Sequence, residues 1–139
     1  MVLDVNLHEP PIDELIRLSS DLGTDVIWLS FRSVVDAFQF HHWRSGSLLR
    51  SLVFGCYGDE ERTWNQVEGQ PEPWERSALF DPKQLEFLLT EIAQSDDEKR
   101  ELERIWHREE IVPARQEPGM DARGVAWAVA KHYHFPGWS

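Results

Sequence analysis

The chain has 139 residues, 41% apolar and 28% charged, which suits one self-supporting globular domain and excludes a disordered chain. Its 25 acidic against 14 basic residues leave a net charge of −11, and no window supplies the basic surface that nucleic acid or an anionic membrane requires. One Cys, Cys56, excludes an internal disulfide and a zinc ribbon and points to a reducing, cytoplasmic setting.

The first residues, MVLDVNLHEPP, have neither a basic n-region nor a long apolar run, so no signal peptide is expected. No stretch reaches the ~18 consecutive apolar residues of a membrane span. Leu3, Val5 and Leu7 alternate with polar residues and predict a short first strand, stopped by Pro10-Pro11. Ile12, Leu15, Ile16, Ser19 and Leu22 recur at helical spacing, and Gly23 follows as a stop, predicting a helix over 12–22.

Residues 25–32, DVIWLSFR, read as a central strand, because four consecutive apolar side chains suit burial on both faces. Residues 35–44 form the next strand, with Phe38, Phe40 and His42 on one face and Gln39, His41 and Trp43 on the other. Ser45-Gly46-Ser47 is a turn, and residues 48–57 return as the partner strand of a hairpin. A third meander strand is expected over 62–67, after the acidic turn Asp59-Glu60-Glu61. Residues 69–77, GQPEPWERS, read as a loop in which Trp74 packs onto the sheet.

The last third is helical. Asp81-Pro82 starts a helix carrying Leu85, Leu88, Leu89 and Ile92. Ser95 and Glu98 make a capping box for a second helix with Leu102, Ile105 and Trp106 on a narrow apolar stripe. Residues 113–119 are a polar linker. Asp121 starts a final helix that buries Ala122, Val125, Ala126 and Val129, ends at Tyr133 and is broken by Pro136-Gly137-Trp138. The order predicts a single α+β domain over 1–139: an antiparallel-dominated sheet of four or five strands, opening β-α-β and continuing as a meander, with helices packed on one face.

Chemistry-bearing residues are sparse. His41 and His42 are adjacent on a strand and point to opposite faces, and His132 and His134 lie roughly opposite each other on a continuing helix, so neither pair predicts a metal centre. Cys56 has no base placed beside it by the sequence and reads as a core thiol. No phosphate-binding glycine loop, calcium loop or serine-hydrolase elbow is present, and no cofactor is expected.

The leading expectation is a non-catalytic protein-interaction module, self-associating as a homodimer or binding another protein, with room for a small ligand. Its surface is the aromatic sheet face Gln39, His41, Trp43 and Tyr57, with Trp74 as a further recognition candidate. On that reading Trp43→Ala weakens association without unfolding the chain. The rival is a small hydrolase or ligand-processing enzyme with its site between the sheet and the final helix. It would use His42 or His132 as acid–base group with an acidic partner such as Asp36 or Glu68.

Overall fold

The computed structural model describes residues 12–32, 36–55, 63–113 and 120–136, together with the backbone of 2–4. Its centre is a five-stranded sheet in sequence order: β1 (Val2–Asp4), β2 (Asp25–Arg32), β3 (Ala37–Arg44), β4 (Ser47–Phe54) and β5 (Trp64–Gly69). β2 to β5 form an antiparallel meander, and β1 lies parallel beside β2. A parallel neighbour needs a crossover connection, and α1 (Ile12–Leu22) supplies it.

The hairpin between β3 and β4 closes at Ser45 and Gly46, both at positive φ (49° and 85°). Two consecutive left-handed residues match the twist of the flanking strands, which is why a two-residue turn suffices. The Gly46 N–H donates to Ser19 Oγ of α1 at 2.9 Å, so the turn also seats the helix. β3 is buried along its whole length except Arg44. Phe38 and Phe40 face one side, Gln39, His41 and Trp43 the other, as the period of two requires.

The helical third forms four helices: α2 (Pro73–Leu79), α3 (Pro82–Phe87), α4 (Asp96–Arg108) and α5 (Ala122–His132). α3 runs on into one π-helical turn, Leu88–Ile92. Phe38, Phe40, Leu52 and Phe54 of the sheet share the main core with Trp74, Leu88, Leu102, Ile105, Val125 and Val129 from these helices. The α+β domain with its helical C-terminal third is therefore as the pattern predicts. α1 packs on the opposite face, where Leu15 joins Val26, Trp28 and Trp43 in a second, smaller core.

Three strands differ in their bounds. β3 is Ala37–Arg44, β4 is Ser47–Phe54 and β5 is Trp64–Gly69, against the 35–44, 48–57 and 62–67 expected. The segment read as a loop over 69–77 folds into α2 from Pro73 onward. Pro73 occupies the first turn, where its missing N–H is harmless, and the Glu75 carboxylate accepts from the Glu72 N–H at 2.7 Å. Trp74 packs on the sheet as expected, edge-on to Phe40 at 5.1 Å. Asp81, Ser95 and Asp121 cap α3, α4 and α5 through their side chains. Glu98 does not close the reciprocal half of the Ser95 box: its carboxylate accepts from Gln94 N–H instead. Val5, Leu7, Cys56, Tyr57, the turn 59–61, residues 114–119 of the linker, and Trp138 lie outside the described residues.

Candidate functional site

β3 presents its two histidines to different environments. On the helical face, His42 Nδ1 is 2.7 Å from Glu72 Oε2, so Nδ1 carries hydrogen and donates to the carboxylate. Glu72 is the N-cap of α2. Its other oxygen, Oε1, accepts from the Tyr133 hydroxyl at the end of α5 and from Trp74 Nε1 at 3.3 Å. Burial pushes the Glu72 carboxyl up, but the bonds from His42 and Tyr133 outweigh it and hold the group below its usual range. Burial and the Glu72 charge together raise the Tyr133 hydroxyl, which stays protonated and donating.

The far nitrogen of His42, Nε2, is buried with no hydrogen-bond partner among the described residues. The Asp25 carboxylate lies 3.6 Å away, beyond hydrogen-bond reach, and is held below its usual range chiefly by Arg44. His42 pairs across the strands with Arg50. Arg50 grips Glu75 with two N–H groups, at 2.6 and 2.9 Å, and donates a third to the Gly69 carbonyl at 2.8 Å. Both carboxylates of the α2 start, Glu72 and Glu75, thus meet a cross-strand pair of nitrogen donors on the sheet, His42 and Arg50.

On the opposite face, Ser51 Oγ lies 2.6 Å from His41 Nδ1, and His41 Nε2 lies 3.1 Å from Gln39 Oε1. A carbonyl oxygen only accepts, so the His41 proton sits on Nε2 and Ser51 donates to Nδ1. Gln66 Nε2 completes the chain by donating to Ser51 Oγ at 2.9 Å. The imidazole stacks on Trp43 with centroids 5.6 Å apart. Burial lowers its pKa to about 4, so the ring is neutral at pH 7. A serine, a base and an orienting amide are aligned here, yet Ser51 is only 1% exposed and offers no approach to a substrate.

These positions correct the expected aromatic surface. Gln39, His41 and Trp43 are each under 5% exposed, Trp43 lies in the core beneath α1, and Trp74 is 2% exposed within the main core. A large apolar side chain gains more from burial than from display. Tyr57 is outside the described residues. His42 does stand between the sheet and α5, as the enzyme reading expected, but its carboxylates are Glu72 and Asp25 rather than Asp36 or Glu68. Glu68 is exposed on β5 and pairs with Ser51. His132 is exposed on α5 and meets the Tyr133 ring edge-on at 4.7 Å. Among the described residues no three His, Cys, Asp or Glu side chains are grouped to hold a metal ion.

Sequence reasoning missed a cleft of about 190 Å³ among the helices and the start of β5. Its buried lining is Trp64, Phe80, Leu88, Trp106, Ile111 and Val125, and its more exposed lining includes Asp81, Gln84, Met120 and Asp121. Trp106 is fixed there by its Nε1–H, which donates to the Asp81 carbonyl at 2.9 Å, and by an edge-on contact with Phe80. The only sequence signal was the aromatic content. Trp64 and Trp106 are 42 positions apart, and only the packing of four helices brings them together. No helix among the described residues is long and apolar enough to cross a membrane. No protein-family model matches the chain, and neither a curated protein nor a solved structure is significantly similar to it.

Proposed function

We propose that the chain is a non-catalytic protein-interaction domain whose partner inserts one apolar side chain into the cleft among α2, α3, α4, α5 and the start of β5. The observation that carries this reading is the cleft itself, with an aromatic floor and a polar mouth. Its size argues for a protein anchor over a cofactor. Sites for whole small-molecule ligands run from roughly 300 to 1,000 Å³, whereas a cavity of about 150 Å³ already admits a benzene ring. Buried anchors of this kind dominate the energetics of protein interfaces. The lone Cys56 supports a cytoplasmic setting.

Benzyl alcohol, a stand-in for a phenylalanine side chain, tests the reading by NMR. A saturable shift of the Trp106 indole N–H is expected. Ala78→Leu, which fills the cleft from α2, should weaken that binding by about tenfold or more, the scale of 1.4 kcal/mol. An indole signal that ignores benzyl alcohol would refute the proposal.

A second reading rests on His42. Nδ1 held by a carboxylate, with Nε2 outside any hydrogen bond among the described residues, is the arrangement of an oriented general base in a small hydrolase, although Nε2 is buried and a substrate reaches it only when the surrounding side chains part. Hydrolysis of nitrophenyl esters that vanishes in a folded His42→Asn variant supports it. Activity that survives in that variant removes it.

A further inference from the structure

We infer that the partner segment is basic, its apolar anchor flanked by Lys or Arg. The inference rests on the cleft being the binding site. Two of the cleft's solvent-facing groups are carboxylates, Asp81 and Asp121, and none of its described lining residues is Lys or Arg. Each carboxylate spends Oδ1 on its helix cap, accepting from Lys83 N–H at 2.9 Å and from Gly124 N–H at 3.0 Å. Each keeps a second oxygen, Oδ2, outside that bond. Lys83 and Arg123 follow two residues after the two aspartates, yet neither side chain contributes to the lining.

The whole chain reinforces the local charge, since a net −11 draws a basic segment in and repels an acidic one. The mouth therefore selects by sign, and the floor by shape. An acidic anchor segment would bring like charges together at a partly desolvated rim. A neutral one would set no opposing charge against the two carboxylates.

The test uses three N-acetylated, C-amidated tripeptides with the same central phenylalanine: Lys-Phe-Lys, Ser-Phe-Ser and Glu-Phe-Glu, read by the Trp106 indole N–H at low salt. The lysine peptide should bind about five- to tenfold more tightly than the serine peptide, the range for two partly exposed ion pairs. That preference should shrink several-fold near 0.5 M salt, where exposed charges are screened within a few ångströms. It should also shrink in Asp81→Asn/Asp121→Asn, because Asn caps a helix as well as Asp does while removing the charge. Glu14→Gln on α1, across the sheet, should leave it intact.

Equal affinity for the lysine and serine peptides in the native chain overturns the inference and spares the cleft as a binding site. A lysine preference insensitive to salt and to the double substitution overturns it too. Failure of all three peptides to move the Trp106 signal removes the cleft reading itself.

Discussion

The His41 imidazole takes a hydrogen bond from Ser51 and gives one to Gln39, so a proton added to Nδ1 would break the first and charge a ring closed off from water. Its pKa in the fold is about 4, against 6.5 for an ordinary histidine. The folded chain thus binds fewer protons than the unfolded one between those values, and stability rises with pH across that window. The contribution is complete above pH 6.5 and is lost as pH falls toward 4, by about 3 kcal/mol. Urea unfolding at pH 7 and pH 4.5 should show that loss, and His41→Gln should flatten it. The lowered carboxyls of Glu72 and Asp25 act further down, their stabilisation fading as pH falls through and below the ordinary carboxylate range. Trp43 is an internal residue, so Trp43→Ala should destabilise the chain by roughly 3–5 kcal/mol, the cost of emptying a large aromatic site. The Arg50–Glu75 pair is buried on both sides, at 4% and 3% side-chain exposure. Removing one partner, as in Glu75→Gln or Arg50→Met, should cost about 3–5 kcal/mol by leaving a charge unpaired. The double variant should lose much less than the two together, and a double-mutant cycle by chemical denaturation reads the difference.

At the level of elements, strands and helices were legible wherever one period dominated. The alternation in β3, the stops at Gly23 and Ser45-Gly46, and the caps Asp81, Ser95 and Asp121 all act through neighbours a few residues away, and such signals survive without the fold. α2 was hidden because its prolines suggest a loop. The informative pair was Pro73 with Glu75, a first-turn proline with a reciprocal cap, in a segment too short to show periodicity. The site was less legible. The faces of Gln39, His41 and His42 followed from alternation, but the partners of His42 come from 30 and 17 positions away, on α2 and β2. Burial of the second face depended on where α1 would pack, which its own sequence does not state. β5 ends under a tighter constraint. Gly69 has φ +86°, and a Cβ there would stand 2.0 Å from the Leu49 carbonyl oxygen. Gly69→Ala should therefore cost several kcal/mol, through a forced shift of β5 and a strained backbone. It should also loosen Arg50, which donates to the Gly69 carbonyl. A fall in melting temperature, with the Arg50 guanidinium N–H signal broadened, checks both effects.

Across the whole molecule, order should be graded outward from β3. That strand is hydrogen-bonded on both edges and covered on both faces, whereas α3 and its π-helical turn are short and leave Phe87 and Ile92 46% and 38% exposed. Native-state hydrogen exchange should find the β3 amides among the slowest and those of α3 among the fastest of the helices, and the reverse order would contradict this layering. The back-to-back histidines then gain a meaning beyond their own bonds. Both faces of β3 mix aromatic with polar side chains, so a slip of one residue against its neighbours would trade one mixed face for another, and apolar burial alone would resist it weakly. Such a slip would, however, take His42 away from Glu72 and His41 away from Ser51 in one step, leaving imidazoles on both sides of the sheet without their partners. The central strand of this chain is kept in frame by a two-sided polar key, which a misaligned copy cannot turn.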